Sequence, residues 1–558
     1  MGPPQRSRSG DDRRPLLSRT STAYENEAIS FKQDEKSPIP LLRAVALGIS
    51  VFILIFILTC NVSLLTTIQS PIAEDLKASS EVIWFNSAYL IAITSVTPIS
   101  GKLCQVFTPR VYLLASIIIQ GAGLLLISQA TTVSTFLLGR AACGIGSAAV
   151  TPVSFILVIE LTPVKRRALF FGLINTGYTT GIACGAVIAG ALEPVLGWRT
   201  VFWIQIPISI TAAIVTFLAI PKREKIHSDN DTMTQKLARI DYFGVVTLVV
   251  SLVLLLYTLA APRLDVRPLL LAIGMLVLFV FVEIKWAKEP IVPPSVMRSR
   301  ANLLSGVATV GVMTARWGVL FYTPVYAIAV RGWKPSAAGA LLIPTNAGFA
   351  LGGIIAGWLH IRRTGSFYGA ALTCFALFAA IHFGVSRLLT EQSPLWLFII
   401  ALFANGFAAG SLLNYSLAHL LHMTLKSDHV IVIPFNATFR SFSGSFGSAV
   451  MGGLFLRTLT RYLDAGFKSG KVPHEPDLIR RLIGAPSLVR TLTGDARAIA
   501  IDGYEAALKA TFLAGVGVAL LMFLVQAGVG WIAPEEKADP VVDADENDQL
   551  LSQESPRR

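Results

Sequence analysis

Apolar residues come in long runs along this chain, and polar residues come in short blocks between them. A helix needs about 20 apolar residues to cross the hydrocarbon of a bilayer. Fourteen spans are predicted, at about 44–66, 83–103, 110–129, 134–159, 168–194, 199–220, 240–260, 267–286, 302–328, 336–359, 366–388, 394–422, 431–457 and 508–532. The predicted fold class is an all-α polytopic membrane protein. Residues 1–43 form a disordered N-terminal tail and 44–220 a first six-helix bundle. A linker, 221–239, leads to an added pair of helices at 240–286. A second linker, 287–301, precedes a C-terminal six-helix bundle, 302–532, which holds a long loop at 458–507. Residues 533–558 form a second disordered tail, and an even number of spans puts both tails on one side.

Composition agrees with the pattern. Hydrophobic types make up 53% of the chain and charged types 15%, against about 25% charge in soluble domains. This excludes a soluble globular enzyme, a disordered chain and a secreted disulfide scaffold. The net charge of +13 reads as topology, not as nucleic-acid binding. With cytosolic tails, 17 Lys and Arg between Lys102 and Lys426 fall in cytosolic loops and seven in the short loops opposite. The loop 458–505 adds seven to the far side, and the N-terminal tail restores the contrast. Cys60, Cys104, Cys143, Cys184 and Cys374 lie in or beside apolar runs without a CxxC or Cys/His cluster. They are expected to be packing residues, with no metal and no cofactor. The first apolar run begins too late and is too long for a cleaved signal. No P-loop, HExxH or GxSxG sits on a suitable element, so neither ATP-driven work nor enzymatic catalysis is expected.

A faint repeat relates the two halves. Gly101-Lys102-Leu103, followed by Arg110, joins spans 2 and 3. Gly357-Trp358-Leu359, followed by Arg362-Arg363, joins spans 10 and 11. Such halves are a signature of transporters that rock around a central site; chance recurrence of short Gly/Arg loops is the competing explanation.

Together these motifs resemble the major facilitator superfamily in its 14-span drug:proton antiporter family, over about 43–532. The resemblance is carried by the loop Gly101-Lys102-Leu103 with Arg110, by Arg140-x-x-x-Gly144-x-Gly146, and by Trp198-Arg199-x-x-Phe202 with Pro207. It also rests on Ile240-Asp241-Tyr242-Phe243-Gly244, Glu289-Pro290, and Ala338-Gly339 with Pro344. Phe439-Arg440-Ser441 and the long loop before span 14 are similar to the fungal vacuolar basic amino-acid transporter branch. The resemblance implies two rocking six-span bundles, with gating at Gly101, Lys102 and Arg110. The chain departs from the family pattern at Asn61, where an acid is usual, and at Gln105, Thr108-Pro109, Cys143 and Gly185-Ala186. In the family the acid and the arginine matching Arg140 belong to the proton-coupling region. Asn cannot take up a proton near neutral pH, so coupling through Asn61 and Arg140 is expected to be lost.

The remaining candidates are read from the residues. Gly177, Gly181 and Gly185 recur every four positions, giving span 5 a bare face for close packing and for sliding during the transport cycle. Gly444, Ser448 and Gly452 do the same in span 13. Carboxylates touch predicted spans at Glu160, Asp241 and Glu283, at their ends, whereas Arg140, Arg316 and Arg440 lie inside spans. Intramembrane charges normally face a bundle interior or a wet cavity. A central cavity of positive or neutral potential is therefore expected, suited to anionic, zwitterionic or neutral solutes. Arg316 with Trp317 is the leading binding pair, since guanidinium can grip a carboxylate by two parallel bonds. A structural Arg bonded to backbone carbonyls is the equal alternative. Asn346, Asn436 and Arg440 complete the expected substrate site, while Asn405 and Asn414 are polar mid-span groups that more often pair between helices. His382, His419 and His422 could titrate, although polar helix-end roles are the commoner ones.

Both tails carry an acidic dileucine pattern of the kind that clathrin adaptors read for vacuolar sorting. The first consists of Asp12, Leu16 and Leu17, and the second of Glu546, Leu550 and Leu551. The reading is a monomeric secondary transporter in the bilayer that moves a small organic solute, amino acids first, across a fungal vacuolar membrane rather than a plasma membrane. The alternatives are a multidrug or secondary-metabolite exporter, or a non-transporting sensor or scaffold.

Overall fold

Backbone in hydrocarbon must satisfy its own hydrogen bonds, so each apolar run closes into a helix. The computed structural model describes residues 40–78, 81–161, 164–220, 241–261, 263–286, 299–357, 367–424, 429–468 and 476–531. Several expectations from the sequence fall outside these residues. The sorting pattern of Asp12, Leu16 and Leu17 is one, and that of Glu546, Leu550 and Leu551 is another. The 221–239 linker, Glu289-Pro290 and Arg362-Arg363 also lie outside the described residues.

Among the described residues every element is helical: α1 (Leu41–Asp75), α2 (Val82–Phe107), α3 (Pro109–Ser128), α4 (Val133–Ser147), α5 (Val150–Leu161), α6 (Val164–Trp203), α7 (Gln205–Ala219), α8 (Tyr242–Ala260), α9 (Val266–Lys285), α10 (Arg300–Ala329), α11 (Pro335–Ala340), α12 (Leu342–Ile355), α13 (Tyr368–Arg387), α14 (Leu395–His422), α15 (His429–Phe446), a π-helical turn at Gly447–Met451, α16 (Gly452–Lys468), α17 (Pro476–Gly484), a 3-10 turn at Pro486–Thr491, and α18 (Gly494–Ala527). Eleven stretches among them are long and apolar enough to cross a membrane. One reason this differs from fourteen is that Thr176–Ala219 runs on as a single helical stretch, bent where Gly197 takes a positive φ of 76°.

The starts of helices explain several motif residues. Asp241 caps α8 by accepting from the Gly244 N–H at 2.9 Å. A side chain at position 244 would run into that carboxylate. Asp265 caps α9, Ser299 caps α10, and Thr132 caps α4. After the bend at Gly197, Trp198 and Phe202 pack edge-on against Phe136. Arg199 then donates to the Ala130 carbonyl at 2.8 Å and pairs with Asp75 at 2.7 Å. That ion pair is half-exposed and contributes little by itself; its role is to tie three connections together at one face.

The long loop expected at 458–507 is instead largely helical. Span 13 continues through α16 to Lys468, and the last helix begins at Gly494 rather than near 508. Between them, Leu459, Leu463, Phe467, Ile479, Leu482, Val489, Ala500, Ile501 and Tyr504 join one apolar cluster. The low hydropathy of this segment hid a cap with its own buried face. The carboxylates of these extended helices lie at the same end. So does Glu193, a further acid inside a predicted span, near the bend of α6.

Separate clusters fill the two halves. Leu54, Leu113, Val153 and Ile174 pack in the first half, and Val312, Phe375, Phe378 and Leu412 in the last. The halves meet through α2 with α15 and through α6 with α11. Ser445 Oγ donates to the Leu90 carbonyl at 2.7 Å and bonds Thr94, and Ser87 faces Ser448 at 3.5 Å. A Cβ on Gly339 would stand 3.0 Å from that of Ala186. Helix α8 also touches both sides. Tyr257 stacks on Trp84 of α2, and Arg457 of α16 donates to the carbonyls of Leu259 and Ala261. All these contacts lie toward the face that carries the connections at 76–81, 129–132 and 330–334, here called the distal face.

The bare face of α6 is pressed on α1. A Cβ on Gly181 would overlap Thr59 and stand 2.6 Å from the Phe56 carbonyl, and one on Gly185 would meet the Cys60 backbone at 2.9 Å. Backbone against backbone cannot yield cheaply. Gly181→Val is expected to cost about 1–3 kcal/mol and to lower the melting temperature of the purified protein in detergent. An unchanged melting temperature would mean that α1 and α6 are not in contact.

Candidate functional site

Arginines set the polarity of the interior, and the three behave differently. Arg140 is fully buried. Its Nε donates to the Phe85 carbonyl at 2.9 Å, and Nη2 donates to Asn86 Oδ1 at 3.3 Å and to the Asn61 carbonyl at 3.5 Å. The guanidinium lies 4.4 Å over the Tyr89 ring. Backbone dipoles, an amide oxygen and a ring face thus solvate the charge, with no carboxylate beside it among the described residues. Position 61 is the partner expected from the sequence, but it acts through its backbone. The Asn61 side chain turns to α7, where Nδ2 donates to Gln205 Oε1 at 2.5 Å and to the Ile57 carbonyl at 3.1 Å. Asn61 Oδ1 and Arg140 Nη1 are buried without a hydrogen-bond partner.

Arg316 sits midway along α10 and faces α12. Nη1 donates to Thr345 Oγ1 at 3.3 Å and Nη2 to Asn346 Oδ1 at 3.0 Å, with the guanidinium 4.3 Å over the Phe349 ring. Asn346 in turn donates to the Leu342 carbonyl at 2.9 Å. The side chains, not backbone carbonyls, hold this arginine. Trp317 is stacked on Phe321 and laid against Gly444 and Gly447. Arg440 is the least satisfied of the three. Its described contact is the ring of Tyr178, 5.6 Å away and on the other half of the molecule.

Arg316, Trp317, Asn346 and Arg440 line one pocket, together with Tyr178, Phe155, Ile182, Leu320 and Phe349. Asn436, expected in the same site, lies one helical turn before Arg440 and is outside the lining. A second pocket shares Thr151, Tyr178 and Trp317 with the first, and Leu58, Val62, Ile93, Thr97 and Ser147 extend it into the first half. Among the described residues lining either pocket there is no Asp, Glu, Lys or further Arg. The pocket residues of α6 and α15 lie on the far side of Ala186 and Ser445 from the distal face. The contacts between the halves therefore close over the site on that face.

The other candidates are structural in their surroundings. Gly177, Gly181 and Gly185 face α1 and do not line the first pocket. Gly101 has open space around it, and Arg110 lies 3.8 Å over the ring of Phe217, bracing α3 on α7; the Lys102 side chain is outside the described set. His382 meets Asn405 at 3.3 Å, and His419 meets the Gly530 carbonyl at 3.0 Å. Asn414 bonds within its own helix, to Gly410. The dileucine residues Leu16, Leu17, Leu550 and Leu551, with Asp12 and Glu546, lie outside the described residues. Sequence reasoning missed Tyr178, Gln205, Tyr89 and Thr345. Gln205 carried a signal, as a lone amide in an apolar run; Tyr178 was hidden inside the glycine stripe.

Comparison with known proteins places this geometry. The family model of the Major Facilitator Superfamily matches residues 51–448. An efflux pump of Gibberella fujikuroi, apf11, is 26% identical over 529 residues, covering 90% of each chain. Vacuolar basic amino acid transporter 1 of Saccharomyces cerevisiae is 27% identical over 317 residues, 55% of each. Among solved structures, a bacterial homolog of the human lysosomal transporter Spinster, inward-facing and unoccupied, aligns with a TM-score of 0.59 at 14% identity, covering 88% of this chain and 98% of its own. The chain belongs to the Major Facilitator Superfamily and is a multi-pass membrane transporter by family.

The amide at position 61 generates a test. Asn61→Asp adds a carboxylate on the helix whose backbone already accepts from Arg140. In reconstituted vesicles the variant's flux is expected to become dependent on a pH gradient, while the parent's is not. Equal gradient dependence in both would show that protons couple through another group.

Proposed function

We propose that this superfamily member is a secondary carrier that moves small carboxylate-bearing organic solutes by alternating access. The carrying observation is the first pocket. It is walled by α5 and α6 of the first half and by α10, α12 and α15 of the last, and it holds two guanidiniums and no carboxylate among its described lining residues. Rocking of the two bundles would exchange the closed distal contacts for closed contacts at the opposite face. The drug:proton antiporter motifs support kinship with that 14-span family. Asn61 and its bond to Gln205 favour transport that does not depend on protons at that position.

Amino acids satisfy the pocket through the α-carboxylate. The vacuolar relative and the two dileucine patterns, Leu16-Leu17 and Leu550-Leu551, favour a vacuolar membrane. A second reading has its own support. The efflux pump of Gibberella fujikuroi matches 90% of this chain, and a thioclapurine efflux transporter of Claviceps purpurea matches 93% at 24% identity. Export of a secondary metabolite bearing a carboxylate would use the same site.

Uptake into vesicles of purified protein separates these from a scaffold, which would show no flux. Neutral or acidic solutes are expected to be taken up in preference to lysine and arginine. Preferential accumulation of lysine or arginine would overturn the proposal. Location separates the two carrier readings. Replacing Leu16, Leu17, Leu550 and Leu551 by Ala is expected to shift a fluorescent fusion from the vacuolar to the plasma membrane, and an unshifted signal would remove the sorting role.

A further inference from the structure

The two pockets differ in character along one line. The charged wall belongs wholly to the last half, with Arg316 and Arg440. The wall contributed by the first half is neutral: Leu58, Val62 and Ile93, with hydroxyls of Thr59, Thr97 and Ser147. The rings of Tyr178 and Trp317 line both pockets, and those of Phe155 and Phe349 line the first. A passenger filling both would need an anionic end and a flat apolar body.

The two arginines are not equivalent. Arg316 already donates from both Nη atoms, to Thr345 and Asn346. Arg440 faces a ring across the gap between the halves and has no hydrogen-bond acceptor among the described residues. A guanidinium with unused donors facing a pocket is a strong partner for a carboxylate. We propose that the passenger is an organic monoanion with an apolar, preferably aromatic, body, that Arg440 is its primary anchor, and that Arg316 is the positioning cation that fixes the other side of the anion's path. This rests on the carrier reading of the pocket and narrows it to net anions over zwitterions, because the described lining offers an ammonium no carboxylate. The Arg440–Tyr178 contact crosses the halves, so an anion bound at Arg440 would replace a contact that joins them.

Calorimetric titration of purified protein with four naphthalene derivatives tests the proposal: naphthoate, naphthylalanine, naphthylmethanol and naphthylmethylammonium. Naphthoate is expected to bind about tenfold or more tightly than the other three, from the worth of a hydrogen bond to a charged group. Acetate, lacking the body, is expected to bind more weakly than naphthoate by a similar factor. Arg440→Gln should lose that advantage and Arg440→Lys should keep part of it, each with the parent's melting temperature checked first. Naphthylmethylammonium binding as well as naphthoate, or Arg440→Gln leaving naphthoate affinity unchanged in a folded protein, would overturn it. Binding of naphthoate without flux would support this assignment and remove the carrier reading. Flux confined to cationic solutes would remove this assignment together with the carboxylate reading of the pocket, while leaving transport itself.

Discussion

A guanidinium inside a membrane bundle has to be solvated by the protein that buries it. The three arginines satisfy that demand to different degrees, and the difference organises the molecule. Arg140 is taken up by two carbonyls, an amide and the face of a tyrosine. Arg316 is held by a hydroxyl and an amide over a phenylalanine ring. Arg440 has a ring and open pocket. The charge left least satisfied is the one that faces the space between the halves. Carriers need such a residue where the passenger lies, since a group already fully bonded gains little from a ligand.

Close packing keeps the charged groups in place. The glycines of α6 bring its backbone against α1, and Gly339 does the same between α11 and α6 across the halves. Hydroxyl contacts between α2 and α15 complete the closed layer. These contacts are short and polar or nearly bare, so they can be remade elsewhere without dismantling either apolar cluster. Helix α8 is held differently on its two sides, by an aromatic stack on Trp84 and by hydrogen bonds from Arg457.

Much of this was legible in the sequence, and the limits have physical causes. Hydropathy gave the helices because lipid imposes a long uninterrupted apolar run. It failed at 458–507, where a cap buries only one stripe of each helix and the average is polar. Glycine spacing gave the bare face of α6, since a period of four is one helical face. Residue type gave Arg316, Asn346 and Arg440, because charge inside a span is rare enough to stand out. Trp317 was paired with Arg316 by adjacency; neighbours on a helix diverge by about 100°, and both residues nevertheless line the same pocket. Asn436 was placed with Arg440 by type and falls outside the lining. The Asn61–Gln205 bond could not be read at all, because 144 positions separate its ends.

The account rests on fixed positive charge at the passenger's seat without a compensating carboxylate. Locating a heavy-atom-labelled anion tests it most directly. In a crystal of the carrier with bromobenzoate, the anomalous signal of bromine marks the apolar end and the electron density marks the carboxylate. The account expects the carboxylate within hydrogen-bond distance of Arg440, on the Arg316 side, with bromine directed toward Leu58, Val62 and Ile93. Bromobenzoate bound with its carboxylate away from both arginines, or an Asp or Glu of the chain seated against Arg440, would contradict it.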